Sequence, residues 1–196
     1  MSDDVRFEVI AAGFSGDRSA AESGLASQDG PTRASALRSL ARMKQLDPEV
    51  LTEFLRDDDA EVRRTAVELA APFPTVAVHD LIDDEDVFVA EMTAWCLGER
   101  TTISEAEMNV LIDRTTAHAE AVVREACAAA LGSIGDERGL PAILAACSDK
   151  PAVRRRAILA LAPFEGDDVN AALARALEDK DWQVRQNAED LLNPRG

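Results

Sequence analysis

The chain has 196 residues, of which 46% are apolar and 4% aromatic with no Tyr, and 37 acids outnumber 21 bases for a formal net charge of −16. So large an apolar share excludes a disordered chain, and a chain near this length buries roughly 70% of its unfolded surface without a metal or disulfide. The charge repels phosphate backbones and anionic membrane surfaces, and it is uneven: residues 1–46 hold six acids and six bases, residues 47–91 fourteen and three, residues 92–196 seventeen and twelve.

The first residues, "MSDDVRFEVI", place acids where a secretory leader needs bases, and no apolar run approaches 18 residues, which points to a cytoplasmic protein. A helix is predicted around 4–13, with residues 1–16 as a capping element. A weak helix over 17–29 leads into "DGPTRASALRSL" (29–40). Asp47 as N-cap and Pro48 at the first helical position open a helix over 47–57, and "DAEVRRTAVELA" (59–70) follows. A shorter helix over 75–84 precedes "DVFVAEMTAWCL" (86–97). Ser104 and Glu107 form a capping box for 104–118, before "EAVVREACAAAL" (120–131). Helices over 139–149 and 167–179 precede "DKPAVRRRAILAL" (149–161) and "DWQVRQNAEDLL" (181–192). Pro and Gly mark the breaks at 71–74, 132–136 and 162–168, and no stretch alternates as a strand requires.

Every second helix repeats one pattern about a reference residue at 32, 62, 89, 123, 153 and 184, in steps of 30, 27, 34, 30 and 31. In most copies an acid precedes the reference by three, Arg follows by one, a small residue by four and an apolar residue by eight; before Val153 the acid is Asp149, shifted by one. Positions 0, +4 and +8 share one helix face, and the small residue lets neighbouring helices approach. The acid is placed to accept from free N–H groups at the helix start. A hairpin of this size cannot bury its own apolar faces, whereas a stack of them makes a continuous core. The expected fold is therefore all-α, an α-α superhelix of about six hairpins over 17–193, in a single domain spanning 1–196.

The motif D-x-x-V-R-x-x-A-x-x-x-L resembles the HEAT repeat, in the short HEAT-like form first recognised in phycobilin lyases. The resemblance implies that the second helices line a concave face. It also implies that the acids at −3 and the Arg residues at +1 form a structural ladder between layers, through Asp29, Arg33, Arg63, Glu120, Arg124, Arg154, Asp181 and Arg185. Each guanidinium forks to the acid of the next layer. Ala90 stands where the other copies have Arg, which leaves Asp86, and with it Asp59, without that partner.

Catalytic constellations do not emerge. His79 and His118 lie in different repeats, Cys96, Cys127 and Cys147 have no zinc spacing and read as reduced core thiols, and "DDEDV" (83–87) lacks the Gly and terminal Glu of a calcium loop. No cofactor motif is present, and no metal site or catalytic residue is assigned. A bacterial family of alkylpurine DNA glycosylases also uses HEAT-like repeats, with a basic groove for DNA; at net −16 this chain shares the architecture and not the charge. Arg155 and Arg156 read as members of ion pairs.

Positions +2, +3 and +6 lean toward the groove. They supply Glu91, Met92 and Trp95 from the third repeat, Arg64 and Glu68 from the second and Glu125 from the fourth. A large aromatic among small neighbours has the composition of an interaction hot spot, although a phase error of one position would bury Trp95 in the core. Asp57, Asp58, Asp59, Asp83, Asp84 and Asp86 form an acidic rim. Trp182 is expected to cover the turn or the end of the stack. The resulting reading is a protein-binding scaffold that takes a basic protein partner, binds neither nucleic acid nor membrane, and is a monomer or weak dimer. Two alternatives stand beside it: a bilin-lyase-like enzyme or cofactor chaperone, and a nucleic-acid mimic that occupies a DNA-binding protein.

Overall fold

The computed structural model describes residues 2–193; residue 1 and residues 194–196, the ends of the expected 1–196 span, lie outside it. Among the described residues there are twelve α-helices and no strand. They fall into two compact units, residues 1–78 and 79–196. The first holds α1 (Ser2–Ser15), α2 (Arg18–Leu25), α3 (Gly30–Arg42), α4 (Pro48–Phe54) and α5 (Ala60–Leu69). The second holds a 3-10 turn (His79–Asp83), α6 (Val87–Gly98), α7 (Glu105–Ala117), α8 (Ala121–Ile134), α9 (Leu140–Ala146), α10 (Pro151–Ala160), α11 (Asp167–Ala176) and α12 (Trp182–Leu192). The short helix expected over 75–84 is thus only a 3-10 turn.

The periodic face is the buried face. Val62, Ala66 and Ala70 are fully buried in the first unit, as are Val89, Thr93 and Leu97, then Val123, Cys127 and Leu131, in the second. In the last copy Val184 and Ala188 are buried while Leu192 is 40% exposed. In the first unit α1 packs on α2 and α3, and α3 on α5; in the second, α6, α8, α10 and α12 pack successively.

The L-G that ends α6 and recurs in α8 has a packing cause. A Cβ on Gly98 would stand 2.9 Å from the Cα of Ala130, and one on Gly132 would stand 2.7 Å from the Cα of Ala160. Gly at +9 of one helix therefore lies against the small +7 residue of the next, and the backbones meet more closely than a side chain allows. In the first unit Gly13 of α1 meets Ser39, the +7 residue of α3, in the same manner, with 3.0 Å to its Cα.

The acids do two jobs, and the division differs from the expected ladder. Asp29, Asp59, Asp86 and Asp181 cap their own helices, accepting from the N–H groups of Thr32, of Glu61 and Val62, of Phe88 and Val89, and of Gln183 and Val184. Asp59 and Asp86 are thus held by cap bonds despite Ala90. Glu120 and Asp47 stand at N-cap positions without a side-chain cap bond, and Lys150 occupies the cap of α10. The forks instead reach acids one or two residues before the cap. Arg33 donates to Asp57 at 2.7 and 2.5 Å, Arg124 to Asp149 at 2.6 and 2.9 Å, and Arg154 to Asp179 at 2.8 and 2.7 Å. Asp57 and Asp179 stand two residues before the cap acids Asp59 and Asp181, and Asp149 one residue before Lys150.

The remaining guanidinium nitrogen of each Arg closes its own turn. Arg33 donates to the carbonyl of Ser27, Arg63 to Asp57 and Asp58, Arg124 to His118 and Ala119, Arg154 to Asp149, and Arg185 to Asp179 and Lys180. Where α6 has Ala90, Arg114 of α7 points back and forks to Asp83 at 2.8 Å from two nitrogens. A buried pair, Arg100 with Glu107, is built into the capping box at the start of α7, where Glu107 also accepts from the N–H and hydroxyl of Ser104 at 2.8 Å.

Candidate functional site

In the second unit Glu91 and Trp95 of α6 and its C-cap residue Glu99 stand four residues apart, so they form one stripe with the indole in the middle. Trp95 is 45% exposed. Facing it, α8 presents Ala126 and Ala129, whose small side chains leave a groove of about 310 Å³. Glu125 of α8 and Arg156 of α10 close its far side, 3.6 Å apart. The groove is therefore an aromatic floor with three carboxylates around it and one guanidinium at its edge.

The groove unites Trp95, Glu91 and Glu125 and leaves out other residues expected with them. Met92 is half-buried and does not line it. Arg64 and Glu68 belong to α5 in the first unit, both half-buried. There Glu68 lies 3.9 Å and Glu61 3.6 Å from Arg38 of α3. Glu99 and Arg156 are lining residues outside the expected set; Arg156 stands at +3 of the fifth repeat, whereas Glu99 lies outside positions +2, +3 and +6. The i, i+4, i+8 spacing of Glu91, Trp95 and Glu99 is the signal for Glu99, and the +3 position of the repeat about Val153 is the signal for Arg156.

The rim acids are occupied by the fold. Asp57 takes the Arg33 fork and accepts from the N–H of Asp59, Asp84 accepts from the N–H of Asp86, and Asp83 takes the Arg114 fork. Asp59 and Asp86 cap helices, and Asp58 is exposed. Their charge contributes to the field, but five of the six are committed to turns rather than forming an open stripe. Arg155 also pairs, donating to Asp181 through Nε at 3.0 Å, so the cap of α12 is a second rung beside Arg154 and Asp179.

These pairings set a pH window. The Arg155 fork holds Asp181 at about 2, down from 3.8. Arg124, Arg154 and Arg114 hold Asp149, Asp179 and Asp83 below the same value, against a smaller opposing effect of burial. For Asp57 burial is the largest influence and pushes upward, but the Arg33 fork together with the Asp59 N–H and the Arg charges brings it down. A carboxyl depressed in the folded state protonates first in the unfolded chain, so its contribution is full above about pH 4 and is lost as pH falls toward about 2. The melting midpoint followed by circular dichroism is expected to fall steadily from pH 4 to pH 2.5; a midpoint that rises over that interval would contradict the assignment of these forks.

The thiols match a core role: burial pushes Cys96 up to about 11, Cys127 to about 12 and Cys147 to about 11, so none is a ready nucleophile at neutral pH. His118 accepts from the N–H of Glu120 at 3.0 Å, and His79 lies 3.6 Å from Asp80. Trp182, expected to cover a turn or the end of the stack, is 65% exposed at the first position of α12. Among the described residues no three His, Cys, Asp or Glu side chains are grouped to hold a metal, and no helix is long and apolar enough to cross a membrane.

A family model described as HEAT repeats matches residues 48–132 and again 108–193. The chain belongs to the HEAT repeat family. Curated proteins provide no match. Among solved structures, it is similar to a designed armadillo repeat protein in complex with the peptide (KR)4, at 17% identity and a TM-score of 0.64, covering 88% of this chain and 96% of that one. An engineered protein is similar at 18% identity and a TM-score of 0.61, covering 90% and 95%. Human deoxyhypusine hydroxylase in complex with glycerol is similar at 20% identity and a TM-score of 0.52, covering 96% and 78%. At such identities the likeness concerns the fold, an all-α repeat scaffold of HEAT and armadillo type, and the groove has to be read from its own residues.

Proposed function

We propose that this HEAT repeat protein is a protein-binding scaffold whose second unit holds a basic, extended segment of a partner in the groove beside Trp95. The observation that carries the reading is the half-open indole with Glu91 and Glu99 one turn to either side and Glu125 across from it. A guanidinium or ammonium laid on the indole gains a cation–π contact of about 1–2 kcal/mol. It also finds a carboxylate within one helical turn in either direction, so neighbouring basic residues of an extended chain meet a carboxylate on both sides. The surrounding negative field speeds the encounter and makes it sensitive to salt. The designed armadillo repeat protein of similar fold that was solved in complex with the peptide (KR)4 supports the reading.

The test is a titration of labelled (KR)4, with a Ser-Gly octapeptide as control, at low salt and at 0.5 M. The wild type is expected to bind (KR)4 and to weaken with salt. Trp95→Ala and the Glu91→Gln/Glu99→Gln pair should each lose about ten-fold in affinity. Trp95 is half-exposed, so its replacement should shift stability by no more than ~1 kcal/mol and the loss will report on binding alone. Equal binding of the control peptide, or unchanged affinity in both variants, would overturn the proposal.

A further inference from the structure

The outer face of α1 is apolar. Val9, Ala12 and Gly13 are buried against the first unit, whereas Phe7, Ile10, Ala11 and Phe14 are exposed, the two Phe rings at 72% and 74%. At 100° per residue these four lie within one ~100° stripe on the side opposite the buried face. Arg42 of α3 stands over the Phe14 ring at 4.1 Å and leaves most of it open. A stripe with i, i+3, i+4, i+7 spacing is the seam a helix offers to another helix, and here all four of its side chains stay exposed.

We infer that this seam is a self-association surface, and that its occupant is α1 of a second copy of the same chain, antiparallel about a two-fold axis. The spacing is symmetric. About a centre between Ile10 and Ala11, the two Phe positions exchange and the Ile and Ala positions exchange. Two antiparallel copies therefore set phenyl against phenyl and the larger Ile against the smaller Ala, which is the self-complementarity an isologous contact requires. Charge also selects a second copy. Residues 1–46 carry six acids and six bases, so this end is neutral in a chain of net charge −16. Two such chains repel least when they meet through their neutral ends, and a basic partner is drawn to other surfaces.

The area sets the strength. A Phe ring buries on the order of 200 Å² when enclosed, so the four open rings of a pair supply about 600 Å². With Ile10 and Ala11 the total approaches ~1,000 Å², the lower bound for a specific contact. The dimer is accordingly weak and concentration-dependent, and salt strengthens it by screening the remaining acids.

Sedimentation velocity of the full chain from about 5 to 500 µM, a range that spans weak association, tests this. The wild type is expected to move from the 21.1 kDa of one chain toward twice that mass and to stop there, more readily at 0.5 M salt. Phe7→Ser/Phe14→Ser, and separately Ala11→Glu at the centre of the seam, should hold the chain at one copy with unchanged circular dichroism. A wild type that stays monomeric throughout, growth beyond two copies, or a dimer that survives both variants would each overturn the proposal. Binding of (KR)4 by the second unit is read independently of any of these results.

Discussion

Replacing Gly132 by Val is expected to lower the melting midpoint by about 10 °C, corresponding to ~3 kcal/mol for an overpacked helix contact in a unit of this size. Gly costs about 1 kcal/mol relative to Ala in a helix interior, so at an open position either substitution would be neutral or stabilising. At Gly132 the first added carbon would lie 2.7 Å from both the Cα and the Cβ of Ala160 and 3.0 Å from its carbonyl oxygen. Two of those atoms are backbone, and α8 and α10 would have to separate to relieve them. Gly132→Ala should therefore also destabilise, against its helix propensity, and Gly98→Ala should follow because its Cβ would meet Ala130 at 2.9 Å. Thermal denaturation by circular dichroism decides the sign. Stabilisation by Gly132→Ala would mean that the close approach of the second helices is not a constraint on the fold.

Arg124→Ala should cost about 3 kcal/mol, the range for breaking one side of a mostly buried ion pair. The guanidinium makes the two bonds to Asp149 at 2.6 and 2.9 Å and two more to the carbonyls of His118 and Ala119 at 2.7 and 3.0 Å. One side chain thus ties two layers together and closes its own turn. Its removal leaves the carboxylate of Asp149, with 20% of its side chain exposed, and two carbonyls without that donor. Arg124→Lys should recover less than half of the loss, because an ammonium lacks the planar fork that serves both directions. Urea denaturation of Arg124→Ala, Asp149→Ala and the double variant should yield a coupling of at least ~1.5 kcal/mol. Arg185 repeats the turn-closing bonds from an exposed position in the last helix, so Arg185→Ala should stay within about 0.5 kcal/mol. Equal losses at both positions would indicate that the contact between layers contributes nothing beyond the turn.

The residues that could be read in advance were those whose role is set by helical phase. Val62, Val123 and Val153 are buried because positions 0, +4 and +8 of any helix with this pattern share one face, and Asp59 and Asp181 cap because a helix start leaves N–H groups without partners. The forks of Arg33, Arg124 and Arg154 reach acids one or two residues before the cap, whereas Asp181 both caps α12 and takes the Arg155 fork, and nothing in a repeat motif says which neighbouring acid faces the next layer. At Ala90, where the other copies have Arg, Arg114 in a different helix forks to Asp83, a choice made by how α7 lies against the turn at Asp83.

By itself the amino-acid order determined the all-α class, the six-fold repeat, the helix starts and the apolar face, since each follows from spacing along one helix and from local hydrogen bonding. Tertiary packing decided the rest. It distributed the expected groove residues, with Arg64 and Glu68 on α5 of one unit and Trp95 with Glu91 and Glu125 in the other. It brought Arg156 to the groove edge and committed most of the rim acids to turns. It also left the Phe7 and Phe14 side of α1 open. Those outcomes depend on distances between helices, and helical spacing along one chain segment carries no information about which neighbouring segment lies across from it.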